Sequence, residues 1–283
     1  MVGRVAKSVK SGNSRLIVSD EKLLSNEDPS PLVILRPEGT SDLFFTCEHA
    51  GRVLPKALEQ LGLSDADLQR HIAWDIGAAA LARNLSEQFD ASCVLQNYSR
   101  LVVDCNRWTH GADFITTFSE DTTIPGNQNL PDTQIQSRTN EIYRPYHDAI
   151  ARMLDARRAT GRDTVLVSVH TCTPVYLGVH RPWHIGVLYQ RDKRFAGLLL
   201  EQLRRDSSII SGDNEPYFLD DKKDYAVPVH GEHRGLAHVE FEIRQDLVDE
   251  GVGQREWSDR LYELLRVGQL HLRQQHPEFF ATQ

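Results

Sequence analysis

From residue 31 onward, short apolar runs alternate with amphipathic stretches, and this rhythm predicts the fold. Leu32–Leu35 and Leu43–Cys47 read as strands. Ser64-Asp65-Ala66-Asp67 has the form of a capping box. It opens a helical stretch with apolar positions at Leu68, Ile72, Ile76, Leu85 and Phe89, interrupted by Gly77 so that two helices are an alternative to one. Residues 93–96 and 101–104 read as strands, followed by a loop rich in Gly, Pro, Asn and Thr up to Pro131. Residues 133–161 are helical with a kink expected at Pro145. The continuous apolar run 164–169 has the character of a buried central strand. Residues 185–190 form a further strand, 195–205 a helix, Ala237–Arg244 a strand and 255–274 a final helix. Such alternation predicts an α/β fold with a mixed, largely parallel central sheet flanked by helices. Residues 1–30 are polar and weakly periodic, ending in Asp28-Pro29-Ser30-Pro31, and read as an N-terminal arm; residues 31–283 read as a single domain.

Composition narrows the function. With 283 residues and 40% hydrophobic positions, the chain can bury a substantial core. A net charge of −8 disfavours a nucleic-acid partner. No apolar stretch approaches the ~18 residues of a membrane span, and no apolar segment follows the N-terminal basic residues as a signal peptide requires. Cys47, Cys93, Cys105 and Cys172 form no CxxC pair, so reduced thiols and a cytoplasmic location are expected.

In open α/β sheets, sites gather at the carboxyl ends of the strands. His49 follows the Leu43–Cys47 strand, and His170 follows the 164–169 run. Each could simply cap its strand by bonding to backbone. Two imidazoles at strand ends, with a carboxylate, make a zinc site with an open position. Asp75 is the preferred third ligand, with His71 on the same helical face to orient it or ligate directly. Glu48 is the rival, although strand alternation points it away from His49. Period two in Ala237–Arg244 puts Val239, Phe241 and Ile243 on one face and His238, Glu240, Glu242 and Arg244 on the other. The polar face suits a general base (Glu242 or Glu240) and an anion clamp; the plain alternative is an edge strand with a solvated charged face. Near Asp104, Asn106 and Arg107 could take a substrate carboxylate, or form a structural pair. The loop from Gly212 to Tyr217 is structural or substrate-facing in equal measure, and His184, His230 and His233 are surface residues or proton relays.

Together these segments resemble the N-formylglutamate amidohydrolase family. The matching pieces are Cys47-Glu48-His49-Ala50-Gly51 with Leu54-Pro55, His71-Ile72-Ala73-Trp74-Asp75-Ile76-Gly77, Ser99-Arg100 through Asn106-Arg107, Ser168-Val169-His170-Thr171, and Glu242-Ile243-Arg244-Gln245-Asp246-Leu247. They follow the family's order across about residues 40 to 250. The resemblance implies a phosphorylase/hydrolase-like α/β fold related to zinc carboxypeptidases and aspartoacylases. It implies a single zinc or other divalent ion on His49 and His170, a water-activating Glu on the Ala237–Arg244 strand with Glu242 the better match, and a carboxylate grip by Asn106 and Arg107. One departure is Arg52, where zinc carboxypeptidases carry their acidic ligand three residues after the first His. The expected activity is cleavage of an N-acyl amino acid, a small-molecule substrate. Zinc would sit on His49, Asp75 and His170, with Arg181, His184 and Arg244 available for a second anionic group or the oxyanion. A non-catalytic binding protein on the same fold and a metallo-peptidase are the competing expectations.

Overall fold

The computed structural model describes residues 22–280. Seven strands form one sheet: β1 (Leu32–Leu35), β2 (Leu43–Cys47), β3 (Ser92–Gln96), β4 (Val165–Cys172), β5 (Ile185–Leu188), β6 (Ser211–Asp213) and β7 (Ala237–Arg244). Their order is β1-β3-β2-β4-β7-β5-β6. β1 lies antiparallel to β3, and β5 antiparallel to β7; the other neighbours are parallel. This is the mixed, largely parallel α/β sheet that the alternation of elements implies. β4 and β7, the longest strands, are central because their side chains are apolar on one face and buried on the other as well.

The two faces divide by chemistry. On one, Phe45, Val167, Val169, Val239, Phe241 and Ile243 pack under α2 (Ala78–Phe89), α5 (Arg194–Leu203) and α7 (Gly251–Gln275). On the other, Phe44, Val94 and Leu166 meet Tyr146, Ile150 and Leu154 of α4 (Arg144–Ala159). Toward the carboxyl ends of β4 and β7 this second face turns polar, with Ser168, His170, Glu240 and Glu242 all buried. The charged face of β7 is therefore interior, not the solvated edge that the sequence also allowed.

Three expectations change. The stretch after Ser64 is two helices: α1 (Asp65–Gln69), capped by the reciprocal Ser64–Asp67 pair, and α2, separated by a turn. Asp75 thus lies in a turn, and His71 shares no helical face with it. Residues 101–104 are buried coil, not a strand. Their carbonyls go to side chains instead of a ladder: Asn127 Nδ2 donates to Leu101 O and Arg138 Nη1 to Val102 O. The 133–161 helix is interrupted by a wide π turn at Thr139–Tyr143, between α3 (Asp132–Arg138) and α4, just ahead of Pro145, which has no N–H to donate. The sequence pattern also missed β6 and the short helix α6 (Ala226–His230). Residues 1–21 of the expected arm lie outside the described residues; Leu23 and Leu24 hold to the domain through backbone N–H donation to the Glu141 carboxylate. Among the described residues, no helix is long and apolar enough to cross a membrane.

Candidate active site

At the carboxyl ends of β2 and β4, His49, Asp75 and His170 converge, each buried, with one donor atom apiece within 4.8 Å of one another. β2 delivers His49 directly. β4 continues two residues past His170, so that His170 lies on the strand, level with Glu242 of β7. The turn between α1 and α2 brings Asp75 in. Its N–H donates to His49 O, its Oδ2 accepts from the Thr171 N–H, and Thr171 Oγ1 donates to Ile76 O.

The hydrogen bonds orient both rings. His49 Nε2 lies 2.8 Å from Asp104 Oδ1, and His170 Nε2 lies 2.9 Å from Glu48 Oε2. A carboxylate only accepts, so each Nε2 carries a proton, and Nδ1 is the nitrogen of each ring that can offer a lone pair to the interior once any proton it shares with Asp75 is displaced. Both Nδ1 atoms then face the same oxygen, Asp75 Oδ2, at 3.5 Å from His49 and 2.9 Å from His170. Two lone pairs and a carboxylate oxygen aimed at one another repel unless a cation or proton stands among them. That is the donor set of a carboxylate-backed divalent-metal site, and the residues fit one.

The backing carboxylates are secured in turn. Arg100 Nη2 donates to Asp104 Oδ2 at 2.6 Å, while Tyr146 and Ser168 hydroxyls donate to Glu48 at 2.9 and 2.7 Å. Burial alone would raise Glu48, but His170 and Ser168 hold it down at about 2. Against the same burial, Arg100 and His49 keep Asp104 well below the carboxylate range, and His49 and His170 do so for Asp75. All three are ionised at neutral pH.

Glu240 and Glu242 differ. Burial raises Glu240 to about 8, with His170 opposing and Glu242 adding to the rise; burial raises Glu242 to about 7. Each has a buried Oε2 with no hydrogen-bond partner. Glu240 approaches His170 from the Nε2 side, at 3.9 Å. Glu242 stands two residues nearer the strand end, among His170, Asp75 and His49. Both line a cavity of about 380 Å³ that also takes in His49, Asp75, His170 and Asn106.

Other sequence candidates fall in different places. Arg107 lines the cavity but is paired with Asp113 at 2.8 Å and Asp224 at 2.6 Å, and its Nη2 has no partner among the described residues. Asn106 Oδ1 accepts from the N–H groups of Tyr225 and Ala226, which fixes its amide. His71 reaches the cavity edge, where it meets Glu120 instead of the His49–Asp75–His170 group. Arg181 is buried without a carboxylate partner among the described residues, its guanidinium between the rings of Tyr176 and Tyr217. Arg244 and His184 do not line the cavity. Arg244 is engaged by Asp246 and the carbonyls of Arg181 and Pro182, and His184 Nδ1 accepts from the Ile210 N–H. The sequence assigns no role to Tyr146, and gives Arg100 only as part of the Ser99-Arg100 piece of the resemblance, four residues before Asp104.

The family model described as N-formylglutamate amidohydrolase matches residues 41–248, a span that contains every residue of this cluster. The chain belongs to the N-formylglutamate amidohydrolase family. It is accordingly a hydrolase. A gene product from Agrobacterium tumefaciens, known from a crystal structure, is 34% identical, with a TM-score of 0.86 over 89% of this chain and 100% of that one. An N-formylglutamate amidohydrolase from Ralstonia eutropha JMP134 shares the fold at 17% identity, with a TM-score of 0.63 over 86% of this chain and 98% of that one. No curated protein sequence matches significantly. Within the N-formylglutamate amidohydrolase span, the matched region ends at Val248, whose carbonyl abuts Gly77 at the start of α2.

Proposed function

We propose that the protein hydrolyses N-acyl amino acids at a single zinc-type divalent site held by His49 Nδ1, Asp75 Oδ2 and His170 Nδ1. The observation that carries this reading is the pair of imidazoles, each with Nε2 on a buried carboxylate and Nδ1 on the same Asp75 oxygen. A divalent ion held by these residues would supply Lewis acidity and would make a water molecule easier to ionise near neutral pH. Glu242, which lines the cavity and has an unpartnered buried Oε2, takes a proton from the attacking water and returns it to the leaving nitrogen. Glu240, one side-chain layer deeper, lies 3.9 Å from His170 Nε2, which Glu48 already engages. Asn106 and the free Nη2 of Arg107 grip the amino acid's carboxylate. Arg181 adds positive potential beside Glu242, as its influence on that carboxyl indicates.

Metal analysis and turnover of the wild type, His170→Ala and Glu242→Gln test the scheme. The wild type should hold one equivalent of metal and hydrolyse formyl- or acyl-amino acids. His170→Ala should lose both properties, and Glu242→Gln should keep the metal while turnover falls about 10²–10⁴-fold. Wild-type hydrolysis without stoichiometric metal would overturn the scheme.

A further inference from the structure

The cavity wall beyond Glu242 runs outward into an apolar rim. Past His170, the chain forms a short hairpin in which Val175–Tyr176 pairs with Val179–His180. Its turn leaves Leu177 66% and Val179 68% exposed. The chain after β6 presents Tyr217 at 43% and Phe218 at 69% exposure. Tyr176, Tyr217 and Phe218 all line the cavity, so the rim and the site are continuous. Arg181 ties the two segments together: its guanidinium carbon lies 5.1 Å from the Tyr176 ring centre and 4.7 Å from that of Tyr217. Arg181 is buried and stands behind the rings instead of on the cavity wall, so a cation–π sandwich fixes their positions. Water-facing apolar groups gathered at the mouth of a polar pocket mark a binding surface.

Resting on the proposed amidohydrolase reading, we infer that the substrate's acyl group is apolar and larger than formyl: an aromatic acyl, or a straight chain of several carbons. The amino acid's carboxylate occupies the Arg107 end, which is otherwise polar, with Asp113 and Asp224 bound to that guanidinium. The scissile carbonyl sits at His49, Asp75 and His170. From there the acyl group follows the aromatic wall of Tyr176, Tyr217 and Phe218 toward Leu177. A cavity of about 380 Å³ lies within the range of about 300–1,000 Å³ that accepts ligands larger than a formylated amino acid.

The test uses metal-loaded, full-length protein and two substrate series. In the first, glutamate carries formyl, acetyl, hexanoyl or benzoyl; in the second, the formyl group is kept and the amino acid is glutamate, leucine or phenylalanine. Calorimetry measures binding of the same compounds to the wild type when uncleaved, and to Glu242→Gln otherwise. Hexanoyl- or benzoyl-glutamate should exceed formylglutamate at least 10-fold in kcat/KM and in affinity. Phe218→Ala and Leu177→Ser should cost the larger acyl compounds at least 5-fold more than they cost formylglutamate. Formylglutamate as the best substrate, equal use of all four acyl groups, or a preference that follows the amino-acid side chain would each overturn the inference while leaving the amidohydrolase reading intact. If nothing is hydrolysed, that reading fails instead, and the binding series alone decides the acyl surface: tighter benzoyl than formyl binding supports it, and equal binding overturns it.

Discussion

At the scale of single residues, the site depends on carboxylates that never touch the reacting groups. Asp104 and Glu48 each accept from an Nε2–H, and so decide which nitrogen of His49 and His170 faces inward. Asp104→Asn and Glu48→Gln remove that bias, because an amide can donate as well as accept. Each variant should bind metal about 10–100-fold more weakly. Turnover lost at limiting metal should return when metal is added in excess, as followed by chelator competition and activity titration. Unchanged metal affinity in both variants would refute the orienting role. Spacing along the chain points to His49, Asp75 and His170, and the structure brings them together. It has no means of showing that Glu48 and Asp104 stand behind the two rings. Alternation correctly turns Glu48 away from His49, yet the ring that Glu48 meets belongs to a strand 122 residues on, and such pairings exist only once the sheet is assembled.

At the scale of elements, period-two and apolar-run patterns identify the two central strands of the sheet, since burial on both faces of β4 and on the apolar face of β7 writes itself into the sequence, whereas the short edge strand β6 carries no such pattern. What the pattern hid was the turn that carries Asp75. Apolar residues at Ile72 and Ile76 continue a helical spacing, but Gly77 adopts φ +85° and starts α2 afresh. A Cβ at Gly77 would stand 2.4 Å from Val248 O, so the turn packs against the segment following β7 with no room for a side chain. Gly77→Ala should therefore cost about 1–3 kcal/mol from backbone strain alone, with the Val248 contact adding to it. It should also weaken metal binding by displacing Asp75. Gly161→Ala is the control: Gly161 has φ +69° but nothing within 4 Å of a Cβ, so it meets only the strain. Denaturant unfolding of the two variants should separate them, with Gly77→Ala the less stable and the only one with weakened metal binding. Equal losses in both would mean that the close approach at Val248 is relieved without consequence.

At the scale of the whole molecule, stability in acid depends on a buried pair far along the chain from the metal ligands. His147 Nε2 donates to Cys105 O at 2.8 Å, and its Nδ1 lies 3.0 Å from His230 Nε2, so the two rings share one hydrogen bond and both are neutral. Burial pushes His147 down to about 4 and His230 well below the ordinary histidine value. The unfolded chain takes up these protons near pH 6.5. Between about pH 6.5 and 4 it therefore binds more protons at these positions than the folded protein does. Their contribution is full above pH 6.5 and drains away as pH falls, by roughly 1 kcal/mol per pH unit for each ring. Glu240 and Glu242 work the other way, because their raised values let the folded state hold protons that the unfolded chain releases, which strengthens the fold as pH drops toward 4.5. The wild-type profile alone thus mixes opposing slopes. A double variant, His147→Gln with His230→Gln, separates them, since both carboxyls are retained and Gln can still donate to Cys105 O. At pH 7 the variant should be the less stable because the packed rings are lost. Relative to wild type it should recover steadily between pH 6.5 and 4.5, as read by denaturant melts at half-unit intervals. A difference that stays flat across that window would show that the two rings do not remain neutral in the fold.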